Sequence, residues 1–293
     1  LDAEGTSLSL QWQSNAGGSW QDLSDGGDIS GATEENLTIT NAEESDEADY
    51  RCLVSGTCGD ETSQAVALTV NPSTQITGEP SAQTVCEGED ASFSATAEGT
   101  NLNYQWQSDV SGSWQDLSNG SGIDGANSNT LTIADADNSY EADYRLLVAG
   151  DCGPNQTSNA VGLTVNDTVE IATHPANQTV CEGNDVVFNV DASGTNISYQ
   201  WQSNAGGSWQ DISDNNTFSG SDTDQLTISS ATQSEEAGYR VVISGDCGSK
   251  NSNVAQLTVD PATRVTSQPT DKQVCEQEEV LFGISAEGSG SFS

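Results

Sequence analysis

The stretch QWQSNAGGSWQD at residues 11–22 returns unchanged at 200–211, and at 105–116 as QWQSDVSGSWQD. This self-similarity constrains the fold more than any single motif, because a fixed period sets the size of the folding unit. The first tryptophan recurs as Trp12, Trp106 and Trp201, the second as Trp20, Trp114 and Trp209. Tyr50, Tyr144 and Tyr239 recur too, each followed by an arginine (Arg51, Arg145, Arg240). So do two cysteines, one in the set Cys58, Cys152 and Cys247 and one in the set Cys86, Cys181 and Cys275. Every step is 94 or 95 residues. A solenoid repeat runs about 20–50 residues, whereas a step of this length is the size of a small independent domain. The chain reads as a tandem array with domains over residues 1–71, 72–166, 167–260 and 261–293.

Residues 1–10 (LDAEGTSLSL) align with 95–104 and with 284–293 (ISAEGSGSFS). The outer two domains are therefore expected to be partial and the segment to belong to a longer polypeptide.

Charge removes several function classes. Asp and Glu number 45 against 6 Lys and Arg, for a net charge of −39. A nucleic-acid surface needs clustered basic residues to neutralise phosphates, and anionic lipid makes the same demand, so neither is expected as a partner. No apolar run approaches the 18 or so residues of a membrane-spanning helix. The acidic coat reads as a soluble, self-repelling surface.

Strand signals dominate. LTIT (37–40), LTIA (131–134) and LTIS (226–229) alternate apolar with polar, as do AVALTV (65–70), AVGLTV (160–165) and VAQLTV (254–259). ASFSATA (91–97) and VVFNVDA (186–192) do the same. Period-two alternation marks strands with one buried face, and Gly, Asn, Asp and Ser clusters between them suggest a sandwich. About seven strands are predicted per repeat.

The Trp in YQWQ (104–107) and the segment DEADYRC (46–52) resemble the core tryptophan and the strand-F entry of the immunoglobulin fold. The resemblance implies an all-β array of tandem Ig-like sandwiches. It places Trp12, Trp106 and Trp201 in the core and makes Tyr50, Tyr144 and Tyr239 tyrosine-corner residues, whose hydroxyls bond back to the backbone. QWQS becomes strand C, NAGG the turn and SWQD strand C′, with the second tryptophan near the sheet edge. More narrowly, VCEGED (85–90), the YQW/SWQDLS pair and SGTCG (55–59) resemble tandem Ig-like repeats of large secreted surface proteins of Bacteroidetes-type bacteria.

The resemblance also exposes a departure. The Ig inter-sheet disulfide would join Leu1, Ala95, Val190 or Ile284 to Cys52, Leu146 or Val241, and only Cys52 is a cysteine. Cys52 is expected to be a buried free thiol. The other six cysteines lie before strand B or in the F–G hairpin, and an oxidising compartment is implied. In an Ig sandwich these two places sit at opposite poles, which disfavours Cys86–Cys152 and Cys181–Cys247 but leaves them as the alternative. The F–G loop of one domain faces the A–B turn of the domain before it, so Cys86–Cys247 is the expected staple between consecutive domains. Cys58 and Cys152 then pair upstream of this segment, and Cys181 and Cys275 downstream.

Candidate reactive sites are sparse. The single histidine, His174, reads as a surface loop residue. No metal-ligating histidine–cysteine pattern, Ser-His-Asp set or phosphate loop can be assembled, and the chain is not expected to be an enzyme or to carry a cofactor. SDGGDISG (24–31) and SDNNTFSGSDTD (213–224) offer oxygen ligands for calcium through Asp25, Asp28, Asp214 and Asp222, although neither fits the EF-hand loop. Asn36, Asn119, Asn155, Asn166, Asn177, Asn196 and Asn215 begin Asn-x-Ser/Thr sequons. Thr168, in DTV, resembles a Bacteroidetes-type O-glycosylation site. Together these features predict a stiff structural spacer in an extracellular fibre or adhesin stalk, contacting copies of itself or adjoining repeats and able to assemble into a filament. The alternative is a module that binds surface glycans or other cells through exposed second tryptophans.

Overall fold

The computed structural model describes residues 7–288. Among them no residue is α-helical, and three 3-10 turns (Glu44–Asp46, Asn138–Tyr140, Gln233–Glu235) punctuate an all-strand chain. Two compact units form. One comprises Leu1–Ala82, Ser92–Thr132 and Asp143–Gly162; the other comprises Gln83–Ala91, Ile133–Ala142 and Leu163–Ser293.

In the first unit, Ser9–Ser14 pairs antiparallel with Ala48–Gly56, which sets Trp12 opposite Cys52. Gly59–Thr62 and Val66–Leu68 also pair with Ala48–Gly56. The same unit repeats this arrangement at Asn103–Ser108 and Asp143–Ala149, with Trp106 opposite Leu146. The apolar residue facing each tryptophan fills the volume that a bridging cystine would take in an Ig sandwich. The corresponding pair for Cys52 itself, Leu1, lies outside the described residues. Phe93 stacks on Tyr144 with ring centroids 4.9 Å apart and tilts against Trp106 at 6.2 Å.

In the second unit, Ser198–Ser203 pairs with Gly238–Gly245, and Trp201 faces Val241. Ala255–Asp260 pairs antiparallel with Gly238–Gly245 and parallel with Gln178–Cys181. Val186–Asn189, Gln225–Ile228 and Phe218–Ser219 form the opposing sheet. Alternation decides which residues face inward: along Ala255–Asp260, Ala255, Leu257 and Val259 are buried while Gln256 and Thr258 are exposed. Phe188, Trp201, Leu226, Ile228 and Val241 share one core. Burying a side chain of this size is worth about 1.5–3 kcal/mol.

Several predicted strands differ from the observed ones. ASFSATA and VVFNVDA, each expected as one strand, are each two: Ala91–Ser94 with Thr96–Glu98, and Val186–Asn189 with Asp191–Ser193. At the break, the N–H of Ala95 donates to Asn129 O and that of Val190 to Asp224 O, both at 3.0 Å. The strand thereby changes partners, with the later pieces pairing with Gln75–Gly78 and Glu170–Thr173. Alternation does not register the change, because Ala95 and Val190 are buried throughout. SWQD contributes only Gln-Asp to a strand (Gln21–Asp22, Gln115–Asp116, Gln210–Asp211). In the first copy, LTIT and AVALTV shrink to Thr38–Ile39 and Val66–Leu68, against Thr130–Ile133 and Val161–Asn166 in the next. Trp12, expected in the core, is only half-buried, while Trp106 and Trp201 are fully buried.

Candidate functional site

Strand pairing brings four side chains of each repeat into a ladder on the sheet surface. The Arg51 guanidinium lies 4.0 Å above the Trp20 ring, Arg145 4.1 Å above Trp114, and Arg240 4.3 Å above Trp209. Each arginine Nε donates to a glutamine Oε1 on the neighbouring strand: Gln13 at 2.9 Å, and Gln107 and Gln202 at 2.8 Å. The same glutamines donate through Nε2 to Asp22, Asp116 and Asp211 at 2.7–2.8 Å. Three of the four arginines in a chain of net charge −39 are thus committed to one surface motif. A guanidinium over an indole attracts its quadrupole by about 0.5–1 kcal/mol at an exposed site. The second tryptophans are half-buried, and the guanidinium occupies one face of each ring, so that face is closed to a stacking sugar. The recurring Tyr-Arg and QWQ were visible in the sequence; the cross-strand register that joins them was not.

The first tryptophans are held by their own backbone contacts. The indole N–H of Trp12 donates to Glu34 O, that of Trp106 to Ser128 O and that of Trp201 to Thr223 O, at 2.9–3.0 Å. Tyr50 Oη donates to Asp46 O at 2.6 Å and Tyr239 Oη to Glu235 O at 2.7 Å. Burial first, and then the Glu235 carboxylate, push the Tyr239 phenol well above its ordinary value. Tyr50 shifts in the same direction, through burial and Asp46. Tyr144 is buried beside Phe93.

Cys86 and Cys247 form a disulfide with Cα atoms 5.6 Å apart, joining positions 161 residues apart in sequence. Both lie in the second unit. Cys86 ends the strand Gln83–Cys86, and Cys247 sits in the turn between Gly238–Gly245 and Gly248–Asn251. The same geometry leaves Cys152 and Cys181 as free thiols, so neither alternative pairing is formed. Cys58, Cys181 and Cys275 are exposed free thiols, and Cys52 is a fully buried one.

The Asp/Asn/Gly loops use their acidic residues on the backbone. Asp25 Oδ1 accepts from Ala32 N–H at 2.8 Å, and Asp214 Oδ1 accepts from Ser221 N–H at 2.8 Å. In the middle copy Asn119 Oδ1 accepts from Ala126 N–H at 2.8 Å. A neutral amide therefore performs the same task as the two carboxylates. Hydrogen bonds from Ser221 and Gly220 hold the Asp214 carboxyl below its ordinary value. Asp28 accepts from Thr40 and Asn41, and Asp222 is exposed. Among the described residues no three His, Cys, Asp or Glu side chains gather as a cation-holding group.

His174 Nδ1 accepts from Asn253 N–H at 3.1 Å, the role that Glu79 Oε2 fills for Asn159 N–H at 2.8 Å one repeat earlier. Asn36 and Asn155 are exposed, and Thr168 and Asn166 are half-buried. Asn119 and Asn177 spend their Oδ1 atoms on backbone N–H groups, Asn215 accepts from two, and Asn196 donates to Asp246. A recurring serine escaped the sequence reading. Ser63, Ser158 and Ser252 accept from the N–H of Cys52, Leu146 and Val241 at 2.8–3.0 Å and return a hydrogen bond to the next carbonyl. The signal was present as a Ser at the same place in TSQAV, TSNAV and NSNVA.

Comparison with known proteins agrees with the fold. Residues 171–261 match a family model described as a domain of unknown function, DUF8696. The chain is 28% identical over 256 residues to the muscle M-line assembly protein unc-89 of Caenorhabditis elegans, covering 85% of this chain and 3% of that protein. It is 30% identical over 120 residues to endoglucanase C of Cellulomonas fimi, covering 40% of this chain and 10% of that protein. The chain therefore spans only a small part of the curated relatives it matches. Among solved structures, the I-band fragment I67–I69 of titin superposes with a TM-score of 0.63 at 16% identity, covering 86% of this chain and 88% of that one. The chain is all-β and built of tandem Ig-like domains.

Proposed function

We propose that this chain is a spacer segment in the stalk or fibre of a large extracellular surface protein of a Bacteroidetes-type bacterium. Its domains would span residues 1–71, 72–166, 167–260 and 261–293. The observation that carries this reading is the Cys86–Cys247 disulfide, which ties the end of a strand in one repeat to a turn in the next. A bond at that place restricts bending between consecutive domains, and it persists only in an oxidising compartment. The acidic surface supports solubility outside the cell. The arginine-capped tryptophans favour a spacer over a glycan-stacking module.

Small-angle scattering tests the reading by comparing the oxidised chain with a Cys86→Ser/Cys247→Ser variant. The oxidised chain is expected to have a sharply defined maximum dimension, and the variant a broadened distance distribution. Equal distributions would remove the case for a stiffened joint. Binding of the oxidised chain to an array of surface glycans would favour the recognition module instead.

A further inference from the structure

The third repeat holds its charge away from one face. Residues 167–260 carry thirteen Asp and Glu. The sheet of Gln178–Cys181, Ala255–Asp260, Gly238–Gly245, Ser198–Ser203 and Gln210–Asp211 lines the core with one side. Alternation turns the other side outward: Arg240, Val242 and Ser244 alternate with the buried Tyr239, Val241 and Ile243, and Gln256 and Thr258 are exposed. Two of the thirteen carboxylates, Asp211 and Asp260, fall on outward strand positions, and Arg240 offsets one of them. Two chains of net charge −39 repel each other, so they approach most readily through a face balanced in this way.

That face is also self-complementary. Arg240, Gln202 and Asp211 stand in one row across three neighbouring strands. A two-fold axis along the strands at Gln202 lays Arg240 of one copy over Asp211 of the other, and the reverse. Gln202 engages only the Arg240 Nε and, through its own Nε2, Asp211 Oδ1. A guanidinium has further N–H donors and a carboxylate further acceptor sites for a second copy. Continuing the register by two residues sets Trp209 over the Gly238 position of the second copy. Val254, 43% exposed, covers that position, its Cγ1 2.8 Å from where a Gly238 Cβ would stand. The first and second repeats have Asp49 and Asp143 there. Glycine in the third removes that carboxylate and leaves Trp209 an apolar seat.

We propose that the outward face of this sheet joins two copies of this chain side by side, with Arg240 of each paired to Asp211 of the other and Trp209 of each packed on Val254 of the other. Arginine and aromatic residues concentrate at the centres of protein interfaces, and sheets packed face to face keep their strands within about 30° of one another. The contact is isologous and closes as a pair.

Sedimentation equilibrium of the 293-residue chain tests this, with Cys86–Cys247 intact and the exposed thiols capped by iodoacetamide so that no covalent link mimics association. Expected is a monomer–dimer equilibrium that strengthens between 0.01 M and 0.15 M salt, as the screening length falls from about 30 Å to about 8 Å. Arg240→Glu and Asp211→Lys should each weaken the dimer about tenfold or more. An equal mixture of the two variants should restore it, because every pair across the axis then joins opposite charges. Val254→Asp, at an exposed position that folding does not depend on, should weaken it by a similar factor. A chain that stays monomeric at its solubility limit, a dimer indifferent to Arg240→Glu or to Val254→Asp, or a mixture that associates no better than either variant alone would each overturn the proposal. The proposal goes beyond the spacer reading and can fail alone, since a monomer with its joint stiffened by Cys86–Cys247 leaves that reading standing.

Discussion

Tyr239 shows how much one polar atom in the core controls. Its hydroxyl spans from the buried strand to Glu235 O, and Tyr239→Phe should cost about 0.5–1.5 kcal/mol in a thermal melt, the net worth of one hydrogen bond. The pH dependence follows from the direction of its shift. The folded phenol keeps its proton above the pH at which the unfolded one releases it, so unfolding gains on folding once pH rises past the ordinary tyrosine value. Melting temperature should therefore fall above about pH 10, and less steeply in Tyr239→Phe. A second prediction concerns the ladder. Arg240→Ala should cost about 0.5–1 kcal/mol and make Trp209 more accessible to a fluorescence quencher, whereas Trp201, fully buried, should be unaffected.

At the scale of elements, the loops preceding Thr38–Ile39, Thr130–Ile133 and Gln225–Ile228 depend on one backbone conformation. Gly220 has φ +78°, and a Cβ there would lie 2.2 Å from Gln225 O. Gly220→Ala should lose more than about 1 kcal/mol, since both the conformation and the space oppose it. Asp214→Asn should be near-neutral by the same assay, because Asn119 already accepts the equivalent N–H. The sheet edges and core faces could be read from alternation in stretches such as VAQLTV, because a one-residue slip would invert every side chain. The break at Ala95 and Val190 could not, because both sides of the bend bury the same residue. Nor could the ladder: Arg240 and Gln202 are far apart in sequence, and only the register Gln202 opposite Arg240 makes them neighbours. Asp25 and Asp214 stood out in the sequence as oxygen ligands because loop caps and calcium loops draw on the same residue types; the structure adds their backbone hydrogen bonds to Ala32 and Ser221.

For the whole molecule, the cysteine spacing was more informative than the cysteine count. Seven cysteines allow many pairings; the recurrence of two sets at one period leaves two rules, within a repeat or between consecutive repeats, and the resemblance to the Ig fold favours the second. The Cys86–Cys247 bond should contribute about 2–4 kcal/mol by restricting the unfolded chain, measurable by calorimetry of Cys247→Ser. That variant should also unfold in a broader transition, as the two repeats lose their covalent tie. Trp12 is half-buried where Trp106 and Trp201 are fully buried, and by the repeat alignment the counterpart of Phe93, which packs against Trp106, falls before residue 1.

The parallel pairing of Gln178–Cys181 with Ala255–Asp260 has a mechanical consequence. Its rungs run Gln178–Leu257, Thr179–Thr258, Val180–Val259 and Cys181–Asp260. Tension entering this repeat from its N-terminal side and leaving at Asp260 pulls the two strands in opposite directions along their length. The rungs are then loaded together in shear, where an antiparallel hairpin pulled from its open end would unzip one rung at a time. Resistance to stretching is thus concentrated in a short patch of backbone rather than spread over the core.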